Sequence, residues 1–148
     1  MSESQADGYA GDVSAKEAWN GLAGSAGATL VDVRSKAEWT YVGVPVLTSI
    51  GKPTVLIEWD EFPSGALVPG FPGRLRAELD RLGVGKDAPL YFICRSGNRS
   101  RHAAIAATAA GYAKAYNVEQ GFEGRLDADR HRGTKGSWKE EGLPWAQS

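Results

Sequence analysis

The sequence predicts an α/β fold in which a mostly parallel central sheet carries helices on both faces. Short apolar runs rich in β-branched residues alternate along the chain with segments of helical periodicity, an order typical of parallel sheets. Two of these runs, 28–33 and 90–93, carry a polar or reactive residue at or just after their carboxyl ends. Open α/β sheets collect their binding sites at that edge. With 148 residues, 42% of them hydrophobic, the chain suits one domain.

The chain divides into a leader, a domain and a tail. Residues 1–12 are mostly small and polar, which predicts a mobile leader. The domain is predicted to span 13–128. Residues 129–148 are polar and glycine-rich but contain Trp138 and Trp145, so we expect this tail to dock on the domain rather than to be disordered.

The first helix and the first long strand follow from local signals. Ser14 and Glu17 have the spacing of a capping box, and Gly24 ends an apolar stripe. A structural helix is therefore expected from Ser14 to Gly24. The run 28–33 is long enough for a buried parallel strand. Its Asp32 interrupts the apolar pattern and needs a partner.

Ser35 and Glu38 repeat the capping-box spacing and predict a second, short helix. Two roles for Glu38 stay open. Its carboxylate can cap the helix at the Ser35 amide. Alternatively it can pair with Arg34 while Asp32 accepts a hydrogen bond from the reactive loop described below, because buried charges persist only when they are paired.

Prolines and glycines interrupt the middle of the chain. We expect an extended connection at 43–53 and a strand at 54–59. Residues 63–73 hold three prolines and three glycines and are expected to lack regular structure, in a loop of a length that is often functional. Trp59 and Phe62 are candidate walls of a pocket, with plain packing as the alternative.

The most informative stretch follows a packing helix predicted at 75–82. An apolar strand, 90–93, ends at Cys94, which is the only cysteine, and a basic loop with one glycine leads into an alanine-rich helix predicted from Ser100 to about Ala110. Loop N–H groups and the positive end of the helix dipole favour an anion there. A cysteine so placed is stabilised as the nucleophilic thiolate.

The loop from Cys94 to Arg99 resembles the active-site loop of the rhodanese superfamily, in particular the single-domain bacterial type of rhodanese-like sulfurtransferase. The resemblance implies that Cys94 is catalytic and carries a persulfide. It also implies that the loop residues bind the donor, namely Arg95, Ser96, Gly97, Asn98, Arg99 and Ser100. The related phosphatases place an arginine six residues after the cysteine, where this chain has Ser100, so the resemblance favours a cradle sized for sulfur.

A second segment resembles the same superfamily. Asp32-Val33-Arg34, together with Glu38-Trp39 and Gly43, is similar to a motif whose acids and arginine form a polar network near the catalytic loop, which implies supporting roles for Asp32, Arg34 and Glu38. The segment 117–124, following a last strand predicted at 113–118, is also similar. There Gln120 stands where rhodaneses usually have a glycine.

The resulting hypothesis is a thiosulfate sulfurtransferase that moves a sulfane sulfur from a donor such as thiosulfate to a thiophilic acceptor through a cysteine persulfide. A non-catalytic persulfide carrier or docking module stays open, as does a cysteine-loop phosphatase or arsenate reductase. The arginine spacing and the single cysteine count against the last two. Expected partners are a small anionic sulfur donor and an external thiol or protein acceptor. No cofactor and no metal are required by this chemistry.

Composition and charge argue against several other classes. The net charge of −1, with both signs interspersed, gives no nucleic-acid footprint and no polybasic membrane patch. A single cysteine excludes an internal disulfide and a multi-cysteine metal site. The absence of an apolar leader or spanning segment in this sequence favours the reducing cytoplasm. His102 and His131 lie in basic surroundings and are expected to be exposed rather than catalytic.

Overall fold

The computed structural model describes residues 8–60, 69–124 and 136–147. Its centre is a five-stranded sheet in which every neighbouring pair of strands is parallel. The strands of this sheet are β1 (Gly11–Val13), β2 (Thr29–Asp32), β4 (Val55–Leu56), β5 (Leu90–Ile93) and β6 (Ala115–Val118). Their order is β1-β6-β5-β2-β4, so β5 lies at the centre. The predicted α/β class is confirmed.

Within the described residues, four helices and a small second sheet accompany the central sheet. The helices are α1 (Ala15–Gly24), α2 (Lys36–Tyr41), α3 (Phe71–Arg81) and α4 (Asn98–Ala109). A short antiparallel pair joins β3 (Val44–Pro45) to β7 (Trp145–Ala146), and Thr48–Ile50 forms a 3-10 turn. Among the described residues no helix combines the length and the apolar character needed to cross a membrane.

The sheet separates two hydrophobic cores, because successive residues of a strand point to opposite faces. On one face Val31 and Phe92 pack with α3 and α4 residues, whereas on the other Leu30 and Ile93 pack with α1 residues. Helices therefore cover both faces, as predicted. Burial on both faces explains why these strands read as nearly continuous apolar runs.

The N-terminal boundary differs from the prediction. Residues 1–7 lie outside the described residues, but Gly11–Val13 pairs with β6 and Tyr9 is only 3% exposed within the core. The Tyr9 hydroxyl donates to Asp12 Oδ1 at 2.8 Å. The leader predicted over 1–12 is thus wrong for residues 9–12, because partners about one hundred residues away supply the pairing that this small, polar segment lacks on its own.

The helices follow their local signals with one exception. Both capping boxes form, at Ser14 before α1 and at Ser35 before α2, as predicted. The helix predicted over 75–82 begins earlier, at Phe71, because Gly70 adopts a φ of +75° as its N-cap and Pro72 lies in the first turn. Proline is tolerated there, where its missing N–H has no intrahelical acceptor.

The described part of the tail packs on the domain. Trp138 is fully buried against Trp19, with ring centroids 6.0 Å apart, and its indole N–H donates to the Pro144 carbonyl at 2.8 Å. β7 then pairs with β3. Residues 136–147 thereby cover the α1 face of the sheet, while 129–135 lie outside the described residues.

Candidate functional site

The site forms at the carboxyl end of β5, around the sulfur of Cys94. The backbone N–H groups of Gly97 and Ser100 donate to Sγ at 3.2 and 3.3 Å. The Ser100 hydroxyl lies 3.1 Å from the same sulfur. Cys94 is only 1% exposed, so these contacts replace water around Sγ. Donors fixed by the first turn of α4 stabilise negative charge on sulfur.

Two glycines allow the loop to close around the sulfur. Gly97 has a φ of +99°, and a Cβ there would lie 2.1 Å from the Glu119 carbonyl oxygen. Gly121 has a φ of +64°, and its Cβ would lie 2.5 Å from the Arg95 carbonyl oxygen. Only glycine fits both positions. The loop is therefore pressed directly against the segment 119–124.

Backbone hydrogen bonds hold that segment to the loop. Phe122 N–H donates to the Cys94 carbonyl at 2.8 Å, and Glu123 N–H donates to the Arg95 carbonyl at 3.0 Å. The tail supports the same segment from behind, since Trp138 N–H donates to the Gly121 carbonyl at 2.9 Å. The loop thus has a rigid backing, which favours a fixed geometry around Sγ.

Arg99 is held by carboxylates rather than turned toward the sulfur alone. Its guanidinium meets the two oxygens of Glu38 at 2.6 and 3.0 Å and Asp60 at 3.4 Å. Burial lowers the pKa of Arg99, but the hydrogen bond and charge of Glu38, then the charges of Cys94 and Asp60, raise it overall. For Glu38 burial acts in the other direction and raises the pKa. The hydrogen bond and charge of Arg99 outweigh burial, so the pKa of Glu38 lies below its ordinary value.

Glu38 caps α2, which is one of the two roles that the sequence left open, but its ion pair is with Arg99 and not with Arg34. Its Oε1 accepts from the Ser35 N–H at 3.2 Å and completes the capping box of α2. The same carboxylate pairs with Arg99. Helix α2 is therefore fixed to the loop after Cys94 through one side chain, although Glu38 and Arg99 are 61 residues apart in sequence.

The predicted partners of Asp32 and Arg34 are wrong. Asp32 pairs with Arg34 instead of accepting a hydrogen bond from the loop. The Arg34 Nη2 lies 2.6 Å from Asp32 Oδ2, and its Nε lies 2.9 Å from Oδ1. Both side chains are fully buried. Separated by one residue at the end of β2, they neutralise each other locally, as charges without access to water must.

Arg34 nevertheless reaches the site through a neighbour. Its Nη2 also donates to the Gly43 carbonyl at 2.7 Å, and its guanidinium carbon lies 4.2 Å above the Phe122 ring. Phe122 is the residue whose N–H bonds the Cys94 carbonyl. The buried ion pair thus contacts the segment 119–124, which holds the loop in place, and does not contact the sulfur itself.

The side chains of the other loop residues lie around the sulfur site at or near the protein surface. The Arg95 guanidinium is 46% exposed, with Nε 3.2 Å from Glu123 Oε2. Ser96, Gly97 and Asn98 border a polar pocket of about 320 Å³ whose other walls include Asp12, Arg101, Asn117 and Glu119. Among the described residues no cluster of His, Cys, Asp and Glu is suited to hold a metal ion.

One buried residue of the site belongs to the segment 117–124 described above, but the sequence predicts no role for it in the site. Asn117 in β6 is 2% exposed, and its Oδ1 lies 2.6 Å from the Ser100 hydroxyl. The signal for it was weak: a single polar residue within an otherwise buried strand, Ala115–Val118. A buried amide must be hydrogen-bonded, but the strand alone does not say to what.

The other sequence candidates lie at the margin. Trp59 packs on Phe71 with ring centroids 5.0 Å apart, and it lines an apolar recess of about 480 Å³ together with His102, Ile105 and Ala106. His102 is exposed, as predicted. Phe62 and His131 lie outside the described residues.

Comparison with known proteins gives consistent matches along the chain. A sequence model described as "Rhodanese-like domain" matches residues 14–127. The crystal structure of Rv0390 from M. tuberculosis superposes with a TM-score of 0.83 at 48% identity and covers 95% of this chain and 99% of that one. "Uncharacterized protein RC0915" of Rickettsia conorii is 34% identical over 137 residues, covering 90% of this chain and 95% of its own length.

A more distant structure shares the fold. It is the solution structure of the 30 kDa polysulfide-sulfur transferase homodimer from Wolinella succinogenes, which is 21% identical with a TM-score of 0.57. It covers 99% of this chain and 83% of that one.

Proposed function

The chain belongs to the family of Rhodanese-like domains, and from that membership we propose that it is a sulfurtransferase that uses Cys94 as its sulfur carrier. The proposed donor is a small anionic sulfane compound such as thiosulfate. The acceptor is a thiophile from outside the chain, such as cyanide, a small thiol or a protein thiol. No organic cofactor or metal is part of the proposed reaction.

The observation that carries the proposal is the set of donors around Sγ. Two backbone N–H groups donate to Sγ at 3.2 and 3.3 Å, and the sulfur is 1% exposed. A structural cysteine in a core has no use for such donors, because a neutral thiol is a small hydrophobe. A sulfur that must attack as a thiolate gains from them, because they stabilise its negative charge.

The proposed cycle has two transfers. The Cys94 thiolate attacks the outer sulfur of thiosulfate, the new S–S bond forms, the S–S bond within thiosulfate breaks, and sulfite leaves with the electron pair. The acceptor then attacks the outer sulfur of the persulfide, and the thiolate of Cys94 leaves. With cyanide the product is thiocyanate. The fixed loop contributes by holding its donors in place throughout.

Phosphoryl transfer is the weaker alternative. A phosphoryl group has three equatorial oxygens that need donors, yet Arg99 already pairs with Glu38 and Asp60 and Ser100 contacts the sulfur itself. A non-catalytic persulfide carrier uses the same loop and the same first transfer. Only the second transfer, to a small acceptor in repeated cycles, separates the enzyme from the carrier.

Intact-protein mass spectrometry tests the reaction class. Incubation with thiosulfate should add the mass of one sulfur atom, and cyanide should remove it. Cys94→Ser should fold normally and gain no sulfur, because serine is nearly isosteric but cannot form the persulfide. If Cys94→Ser loads as wild type does, Cys94 is not the carrier. Repeated thiocyanate release under excess thiosulfate and cyanide indicates the enzyme, whereas a single equivalent per chain indicates the carrier.

A further inference from the structure

A row of hydrogen bonds leads from the buried sulfur to Asp12 in the first strand. Ser100 Oγ lies 3.1 Å from Cys94 Sγ and 2.6 Å from Asn117 Oδ1. Asn117 Nδ2 in turn donates to Asp12 Oδ1 at 3.0 Å. Cys94, Ser100 and Asn117 are at most 2% exposed, so water does not compete for these contacts.

Asp12 fixes which way the Asn117 amide points. An ionised carboxylate only accepts hydrogen bonds, so the Nδ2 end of the amide must face Asp12. The Tyr9 hydroxyl donates to the same Asp12 oxygen at 2.8 Å and helps to hold it. The Oδ1 end of Asn117 therefore faces Ser100. An amide oxygen is also only an acceptor, so it must receive the proton of the Ser100 hydroxyl.

Ser100 has one hydroxyl proton and two candidate acceptors. A thiolate at Cys94 competes with Asn117 Oδ1 for that proton, because the negative charge is then on Sγ. In the persulfide the charge moves to the outer sulfur, and Sγ becomes a neutral, weak acceptor. Ser100 can then donate to Asn117 without competition. The Asn117 contact is thus compatible with the persulfide and in conflict with the thiolate.

We propose that Asn117, oriented by Asp12, is a positioning residue that favours the persulfide state of Cys94 over the free thiolate. This inference rests on the proposed sulfur transfer and deepens it. It concerns the exchange in which the thiolate takes the outer sulfur of thiosulfate and sulfite leaves with the electron pair of the broken S–S bond. By holding the Ser100 proton away from Sγ, Asn117 shifts this equilibrium toward the loaded protein.

The test measures the ratio of loaded to unloaded protein by intact mass at fixed thiosulfate and sulfite concentrations. All variants are measured in the same alkaline buffer, because thiolates are the reactive form in the exchange. Asn117→Ala should lower the loaded-to-unloaded ratio about fivefold, which corresponds to about 1 kcal/mol, the net contribution of one hydrogen bond. Asn20→Ala, at an exposed position of α1, is the matched control and should leave the ratio unchanged.

Asp12→Asn gives a second, milder variant at an exposed position. Without the carboxylate the Asn117 amide can turn its Nδ2 toward Ser100 and release the hydroxyl proton to the sulfur, so the ratio should fall in the same direction. The lost charge of Asp12 acts almost equally on the thiolate and the persulfide, since both are anions, and it nearly cancels in the ratio. This variant decides the question if Asn117→Ala does not fold.

A Ser100→Ala background separates positioning from a merely structural role. Once the hydroxyl is absent, adding Asn117→Ala should change the ratio no further. An unchanged ratio in the single Asn117 variant, or an undiminished effect in the Ser100→Ala background, would overturn the inference while leaving sulfur transfer intact. If the wild-type chain gains no sulfur from thiosulfate at all, the proposed function itself fails, and the two failures are therefore distinct.

Discussion

The ion pair between Glu38 and Arg99 determines how firmly the loop after Cys94 is held to α2. Glu38→Gln keeps an oxygen for the capping box, where glutamine also serves, but removes the charge that faces Arg99. The two side chains are 19% and 22% exposed, and Asp60 lies farther away, at 3.4 Å. Exposed pairs contribute at most about 1 kcal/mol, and losing one partner of a buried pair costs about 3–5 kcal/mol. For this half-buried pair we expect a loss of about 1–2 kcal/mol.

The effect should depend on pH with a definite sign. The pKa of Glu38 in the folded protein lies below its ordinary value of 4.5 because, although burial raises it, the hydrogen bond and charge of Arg99 outweigh burial. A depressed folded pKa stabilises the protein above the unfolded value and ceases to do so as pH falls through the folded one. The difference in unfolding free energy between wild type and Glu38→Gln should therefore be full near neutrality and shrink below pH 4.5.

Urea unfolding at a series of pH values from about 7 down to about 3 measures this difference. Glu78→Gln is the matched control, because Glu78 pairs with Arg81 on the exposed surface of α3 and such i,i+3 pairs contribute only about 0.2–0.5 kcal/mol. The reasoning is refuted if Glu38→Gln costs no more than Glu78→Gln at neutral pH. It is also refuted if the full difference persists at the acidic end of the series.

Three further substitutions test the rest of the site. Asp32→Asn leaves Arg34 buried without a carboxylate and should lower the unfolding free energy by about 3–5 kcal/mol in urea titrations; a loss under about 1 kcal/mol contradicts the buried pair. Gly97→Ala adds a Cβ where φ is +99° and the Glu119 oxygen would be 2.1 Å away. The rate of persulfide formation, measured by mass spectrometry, should fall at least about tenfold. An unchanged rate would show that the loop accommodates the added methyl group. Arg95→Gly should lower kcat/KM for thiosulfate about tenfold, which corresponds to the loss of one charge-assisted contact. The half-exposed guanidinium contacts Glu123 through Nε and keeps its other N–H groups for a dianion. The loss of kcat/KM for the monoanion 3-mercaptopyruvate should therefore be smaller. If steady-state assays show equal losses of kcat/KM for the two donors, Arg95 does not discriminate between them.

The sequence by itself determined the features that depend on neighbours in the chain. Both capping boxes join residues three positions apart, at Ser14 and Ser35, and each forms as the spacing predicts. The strand, loop and helix around Cys94 also follow from local signals: an apolar run, a glycine and an alanine-rich segment. The α/β class follows from the alternation of such elements, because parallel strands need crossover connections.

Only the tertiary structure decided which charged and polar groups meet. The sequence leaves open whether Glu38 caps its helix or pairs with Arg34, yet the arginine that meets its carboxylate is Arg99, 61 residues away in sequence. Asn117 reaches Asp12 across 105 residues, a contact that requires β1 and β6 to be adjacent. The order β1-β6-β5-β2-β4 does not follow from any local signal in the chain. Until that order is known, a lone buried amide and a short polar N-terminal segment carry no sign that they complete the environment of the sulfur.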